Sequence, residues 1–222
     1  MKKTLLFVGM ELRSLKPYRV SILILIVLAT GLGFFFGSSH ALSSYLMMVL
    51  ILLMTYPFSI SEKNRLDTLY STLSINRKTV VRGHYSFALM AEAVFIVLAI
   101  LFSWIMSLFI GAKFDIMETL FSISLLSGVF SLLVAIQFPI YFKYDYSKAK
   151  ILAFIPLFIV FLGIIQFPLL TELLGIKFPW TDISFVTSDI PAYIFFAPFI
   201  FGLVLLWLSC VLSCRLYAKR DI

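Results

Sequence analysis

The sequence predicts an all-α membrane protein with six transmembrane helices, in which residues 1–222 form a single membrane domain. Hydrophobic residues make up 62% of the chain and charged residues 13%, whereas a soluble domain is about 45–50% apolar and about 25% charged. Long uncharged stretches also alternate with short basic segments. An apolar excess of this size cannot be buried in one domain of this length, so lipid must cover the remainder.

The positive charge is distributed in a pattern typical of membrane topology. Sixteen of the eighteen Lys and Arg residues lie in four segments, and the polar segments between them contain only Lys113 and Lys177. The four basic segments are residues 1–19, 61–82, 143–150 and 215–222. Basic and non-basic loops that alternate follow the positive-inside rule, which predicts that both termini are cytoplasmic. The net charge of +7 therefore indicates topology, and no nucleic-acid partner is expected.

The first residues predict an amphipathic helix that lies in the cytoplasmic interface and ends near Pro17. The apolar run of residues 5–10 is too short for a signal peptide and is followed by charges. The predicted apolar face contains Leu5, Val8, Leu12 and Leu15, and the polar remainder contains Lys2, Lys3, Glu11 and Arg13.

The spans follow from the apolar stretches. Residues 20–61 carry no formal charge, which suits two spans of about 20 residues separated by the small polar residues 37–40. The six spans are predicted at about 20–36, 42–59, 85–110, 119–141, 151–170 and 190–214. The outer segment 171–189 is too apolar for a free loop, which favours an interfacial or re-entrant helix.

The chain lacks the motifs of several enzyme classes. It has no phosphate-binding loop, no Ser/His/Asp or Cys/His grouping on one side of the membrane, and no metal-ligand pattern. His40 and His84 are predicted on opposite sides of the bilayer. No catalytic residue, metal site or cofactor is therefore expected on this chain.

Glu92 is the ionisable residue inside a predicted span. An ionisable group at that depth is costly and is by default a functional candidate. The alternative is structural: the carboxylate packs inward against hydroxyl or amide partners, or reaches back to the inner interface. The sequence is consistent with both the functional and the structural role of Glu92.

The segment between spans two and three carries an apolar stripe. Leu66, Leu69, Tyr70 and Leu73 recur at helical spacing, which predicts one face of a short cytosolic helix. Ser74 or Asn76 would cap the helix of span three. The stripe either packs down onto the membrane or enters the groove of a partner.

The stripe belongs to the first of two sequence segments, which are EKNRLDTLYSTL at residues 62–73 and INRKTVVRGHY at residues 75–85. They resemble the first inner loop of small bacterial type-two export permeases, whose ATP-binding-cassette ATPase is a separate chain. Within that family the chain is most similar to permeases of phenol-soluble modulin exporters. Ser74 departs from the pattern, because proline is expected at that position.

The resemblance implies a permease half in a bacterial plasma membrane that moves hydrophobic or amphipathic cargo, such as cytolytic peptides, out of the cell. Its partners would be a cytosolic ATPase that binds ATP and Mg, a second identical or related permease, and membrane lipid. The stripe would contact the ATPase together with Arg65, Arg77 and Lys78. The alternatives are an ion-coupled secondary transporter and a membrane anchor or immunity protein without transport.

Overall fold

The described secondary structure is entirely helical. The computed structural model describes residues 2–36, 39–72, 75–110, 116–174 and 196–219. A short 3₁₀ turn, Lys16–Tyr18, joins the first two α-helices. Within the described ranges the α-helices are α1 Lys2–Ser14, α2 Arg19–Phe36, α3 Ser39–Leu53, α4 Tyr56–Lys63, α5 Leu66–Thr72, α6 Arg77–Ile110, α7 Ile116–Lys143, α8 Tyr146–Leu174 and α9 Ala197–Ala218. The all-α prediction is confirmed for these residues.

Five stretches of the described residues are long and apolar enough to cross a membrane. They are Phe7–Gly33, Leu42–Lys63, Arg77–Phe109, Thr119–Lys143 and Ala197–Ala218. The remaining predicted span, residues 151–170, lies within α8, a single helix of 29 residues. Many side chains in the second half of α8, and most of segment 171–189, lie outside the described part of the chain. The sixth span and the re-entrant segment therefore remain predictions.

Two helices differ from their predicted extents. The second span, predicted at about residues 42–59, lies within the membrane-length stretch Leu42–Lys63, in which α3 ends at Leu53 and α4 begins at Tyr56. Pro57 lies in the first turn of α4 and has no N–H to continue the ladder of α3. Helix α6 has 34 residues and is about 50 Å long, against a hydrocarbon core of about 30 Å. It therefore extends beyond the bilayer, and the predicted span 85–110 leaves the end that contains Arg77 outside.

Small residues allow the closest helix pairs. A Cβ on Gly33 would lie 2.8 Å from the Leu42 Cα, so α2 and α3 approach each other through a position that requires glycine. Helices α7 and α9 form the most extensive pair. A Cβ on Gly202 of α9 would lie 2.8 Å from the Ser131 Cβ of α7. Helix α7 also contacts α3, α6 and α8, which places it at the centre of the bundle.

The first helix packs against α6 and α4, and its inward face differs from the predicted one. Phe7, Val8, Glu11 and Leu15 are buried, whereas Leu12 is 47% exposed. The assignment of Glu11 to the polar face is therefore wrong. Residues 7, 11 and 15 recur at a spacing of four and share one side of a helix, and Glu11 finds a partner there.

Candidate functional site

The candidate site is the hairpin of α4 and α5 at the basic end of the bundle. The chain reverses at Asn64 and Arg65, and Arg65 has a positive φ of 49°. A residue other than glycine is uncommon in that left-handed region, so the tight reversal carries a modest conformational cost. The reversal lets α5 fold back against α4.

The predicted stripe on α5 divides between an inward and an outward side. Tyr70 is 5% exposed, and its ring lies 5.6 Å from the Phe7 ring of α1, centroid to centroid. Leu66 is half-buried, and Leu69 is 47% exposed. Leu73 lies outside the described residues. Leu69 is thus the described member of the stripe that is available to a partner, while Tyr70 is covered by the chain's own first helix.

The hairpin is bound to α8 just before the chain reverses. The Glu62 carboxylate accepts a hydrogen bond of 2.8 Å from the Ser147 backbone N–H and a second from the Ser147 hydroxyl. Ser147 lies in the first turn of α8, where backbone N–H groups lack partners within the helix. A carboxylate at this end also complements the helix dipole. Glu62 therefore caps α8 from another element.

Arg77, the first residue of α6, is bound to α9. Arg77 Nη1 donates to the backbone carbonyls of Tyr217 and Ala218, at 3.1 and 3.2 Å. Its guanidinium carbon lies 5.9 Å from the Tyr217 ring centroid. These carbonyls belong to the last turn of α9, where a positive charge is favourable. Arg77, predicted as a partner contact, has an intramolecular role in this structure.

Asn76 fulfils its predicted role as a helix cap. Its side-chain oxygen accepts a hydrogen bond of 3.0 Å from the Lys78 backbone N–H, at the second position of α6. The Lys78 side chain is exposed, as is that of Arg65. Among the predicted basic residues of the site, Arg65 and Lys78 thus point outward and Arg77 is held against α9.

Beneath the hairpin, His84 and Glu11 form a buried pair. His84 Nδ1 lies 2.5 Å from Glu11 Oε1, and both side chains are almost fully buried. The imidazole stacks on Phe58 at 4.7 Å and meets the edges of Phe7 and Phe142 at 5.4 Å. The aromatic rings exclude water from the pair, so removal of one partner would leave a polar group buried without compensation.

Glu92 lies deeper, between α6 and α7. It is 2% exposed and accepts hydrogen bonds from Ser127 and from Ser131, the latter at 3.3 Å. Among the described residues no cation pairs with it. The arrangement matches the structural alternative stated for this residue, in which hydroxyl groups satisfy an inward-facing carboxyl.

A third buried polar group joins α6, α7 and α9. Pro139 has no N–H to bond the Ala135 carbonyl within α7, and the Ser209 hydroxyl donates to that carbonyl at 2.7 Å. Because the Ser209 hydroxyl has a single proton, the Tyr85 hydroxyl at 2.6 Å must donate to it. Ser213, at 2.9 Å, then donates to Tyr85. This chain of hydrogen bonds gives the Ala135 carbonyl the donor that Pro139 cannot provide.

Sequence reasoning did not identify the Glu11–His84 pair or the tyrosine–serine chain. The spacing of Phe7, Glu11 and Leu15 was the available signal for the first, and Pro139 four residues after Ala135 for the second. The described part of the chain contains no group of three or more His, Cys, Asp or Glu side chains that could hold a metal ion.

Membrane-length helices, a helical hairpin at their basic end and buried polar contacts define a multi-pass membrane protein. The chain belongs to a family described as ABC-2 family transporter protein, whose model matches residues 9–218. No curated protein and no solved structure matches the chain. Family membership makes it the membrane permease of an ATP-binding-cassette transporter and implies an ATPase partner.

Proposed function

We propose that this chain is the permease half of a bacterial exporter, with six spans in one membrane domain and both termini in the cytoplasm. Two permeases, identical or related, pair in the plasma membrane, and each docks a cytosolic ATPase through α5. ATP and Mg bind to the ATPase, and this chain catalyses no bond chemistry. Helix α1 lies in the cytoplasmic interface, and the outer segment 171–189 forms an interfacial or re-entrant element.

The observation that supports docking is the position of α5. Leu69 is exposed on α5, and the exposed basic residues Arg65 and Lys78 lie just before α5 and in the first turn of α6, at the end of the bundle where basic side chains are concentrated. An exposed leucine on a short helix suits an apolar groove on a partner. Exposed cations around it suit steering and rim contacts with an acidic surface.

The hairpin and the first residue of α6, which follows it, have the contacts needed to pass a displacement to the bundle. Glu62 binds the first turn of α8, Arg77 binds the last turn of α9, and Tyr70 packs on α1. When the ATPases close on ATP, α5 moves with them and displaces these three helices. The ATPase does work on the permease only through contacts that differ in free energy between the two states.

The cargo is proposed to be hydrophobic or amphipathic. The described spans carry one buried acid near mid-helix, Glu92, which is held by hydroxyls rather than by a cation. A pathway with so little charge suits apolar cargo. The resemblance to phenol-soluble modulin exporters extends the proposal to cytolytic peptides. The same scarcity of charge disfavours an ion-coupled secondary transporter, and a non-transporting anchor is the remaining alternative.

The decisive experiment substitutes Leu69 alone, because Tyr70 is buried and its loss would disturb the fold. Burial of one leucine at an interface centre contributes roughly 1–3 kcal/mol. Leu69→Ser should therefore weaken binding of the ATPase about tenfold while membrane insertion and monodispersity stay unchanged. The measurement is co-purification of the ATPase with the permease, together with ATP turnover in the complex.

Leu69→Met is the matched control, because it keeps an apolar side chain of similar size and should retain binding. Tyr70→Ser should instead lower the thermal stability of the permease itself. Full co-purification and continued transport with Leu69→Ser would remove α5 as the docking element. The non-transporting alternative predicts that ATP addition moves no cargo even when the ATPase is bound.

A further inference from the structure

A long apolar groove opens on the side of the bundle, away from the hairpin contacts. It has a volume of about 540 Å³ and is lined by α1, the 3₁₀ turn, α2, α3 and α6. Its walls are aliphatic and aromatic side chains such as Ile26, Leu46, Leu50, Phe87 and Val94. Among the described residues that line it, the charged ones are Lys16 and Arg19, and both are basic.

The groove has the depth of one bilayer leaflet. On α6 its lining residues extend from Phe87 to Leu98, a rise of about 16 Å. This is roughly half of the 30 Å hydrocarbon core. On α2 the lining begins at Arg19 and ends at Ile26. The groove therefore begins at the basic end of the bundle and stops near mid-membrane.

The basic mouth lies where a lipid headgroup would lie. Arg19 begins α2, and Lys16 begins the 3₁₀ turn before it. Residues three apart in a tight helical turn lie on the same side, so both cations face the same mouth. Both are exposed, and Glu11, the nearest acid in sequence, is turned away to His84.

We propose that this groove binds one anionic phospholipid of the leaflet at the basic end, which is the cytoplasmic leaflet in the proposed topology. The phosphate and headgroup contact Lys16 and Arg19, and an acyl chain occupies the apolar groove. Basic pockets between transmembrane helices at the cytoplasmic side are suited to anionic headgroups. The lipid packs between α1 and α6, the helices that the Glu11–His84 pair also joins.

A second permease chain suits the groove less well. A helix from a second copy would run the full thickness of the bilayer and would meet a groove that ends halfway. In a two-fold pair with both copies oriented alike, the partner would also present its basic end at the level of Lys16 and Arg19. Charge complementarity thus favours a negatively charged lipid.

The test is titration of the delipidated, full-length permease with phosphatidylglycerol or phosphatidylcholine of identical acyl chains, followed by native mass spectrometry. The wild-type chain should bind phosphatidylglycerol more tightly. One basic residue near an anionic lipid contributes about fivefold, so Lys16→Gln with Arg19→Gln should reduce the preference at least about tenfold. Lys150→Gln with Lys219→Gln makes the same charge change on exposed residues outside the groove and should retain it.

A second variant tests the apolar part of the site. Ala91 lines the groove, and Ala91→Trp should weaken both lipids without a change in charge. Equal wild-type affinity for the two lipids, or a full preference in the Lys16/Arg19 variant, would overturn the proposal. It would also be overturned if Leu23→Cys with Val94→Cys, in a chain lacking Cys210 and Cys214, formed disulfides between copies in phosphatidylglycerol membranes.

Discussion

His84 Nδ1 lies 2.5 Å from Glu11 Oε1, and this contact joins the first helix of the chain to the base of the longest described helix. The pair is enclosed by the rings of Phe7, Phe58 and Phe142. The Phe7 ring also contacts Tyr70 of α5, at 5.6 Å between ring centroids, and so links the pair to the hairpin. The pair therefore fixes the surface on which the hairpin rests.

Removal of either partner should destabilise the permease strongly. Glu11→Leu and His84→Phe should each cost roughly 3 kcal/mol, because a buried polar group is left unpaired. The double variant should recover much of the loss, since an apolar pair of similar volume is often tolerated. Thermal unfolding in detergent measures all three variants. Additive losses in the double variant would show that the two side chains do not interact energetically.

The contact between α7 and α9 predicts an asymmetry between two glycines. A Cβ on Gly202 would lie 2.8 Å from the Ser131 Cβ, whereas a Cβ on Gly31 would meet nothing within 4 Å. Gly202→Ala should therefore destabilise the bundle by about 1–3 kcal/mol through overpacking. Gly31→Ala should be neutral or stabilising by up to about 1 kcal/mol. Equal melting temperatures for the two variants would contradict the close α7–α9 approach.

Composition and periodicity predict the helices well because lipid imposes one physical requirement on all of them. Backbone groups in hydrocarbon must be satisfied within the segment, so an apolar run of sufficient length becomes a helix. The predicted span 119–141 and α7, Ile116–Lys143, differ by only a few residues at each end. The predicted span 42–59 lies within the membrane-length stretch Leu42–Lys63. Its break into α3 and α4 is a local effect near Pro57 that hydropathy does not report.

The candidate site was less predictable because its residues meet across large sequence distances. Arg77 and Tyr217 are 140 positions apart, and Glu62 and Ser147 are 85 apart. Periodicity assigns a side chain to a face of its own helix, but not to a partner on another helix. Tyr70 and Leu69 were predicted on one apolar stripe, but the packing of Phe7 covers Tyr70 and leaves Leu69 exposed.

Glu92 offers a test of the structural interpretation of a buried carboxyl. Glu92→Gln keeps an oxygen that accepts hydrogen bonds from Ser127 and Ser131. Expression, assembly and transport should therefore stay close to wild type. Glu92→Leu removes the acceptor and should lower stability by about 1–3 kcal/mol. Loss of transport in a normally assembled Glu92→Gln variant would instead assign a function to the charge.

The topology is tested by thiol labelling from one side of the membrane. In a chain without Cys210 and Cys214, Lys148→Cys and Asn76→Cys should react only from the cytoplasmic side, since both residues are exposed at the basic end. Lys113→Cys, which lies outside the described residues, should react with an impermeant reagent from outside. The opposite pattern at any of these positions would contradict the six-span arrangement.

A variant of Arg77 separates two roles of this region: binding of the ATPase, and transmission of its movement to the membrane helices. The Arg77 guanidinium binds the last carbonyls of α9. Arg77→Gln should therefore leave ATPase binding within about twofold of wild type, because it removes no apolar docking contact. The variant loses the charged hydrogen bonds from Arg77 to the last turn of α9. The free energy of that contact should fall by about 1 kcal/mol, because the helix end is partly exposed. Transport should fall severalfold while the bound ATPase continues to hydrolyse ATP.

Arg82→Gln is the matched control for that experiment, because Arg82 is exposed on the same helix and the charge change is the same. Arg82→Gln should leave both transport and ATP hydrolysis near wild type. The ratio of cargo moved to ATP hydrolysed in reconstituted vesicles reports the coupling directly. Leu69→Ser lowers both quantities together by releasing the ATPase, whereas Arg77→Gln lowers the ratio. An unchanged ratio in Arg77→Gln would show that α9 moves independently of the hairpin, leaving the contacts at Glu62 and Tyr70 as the route to the bundle.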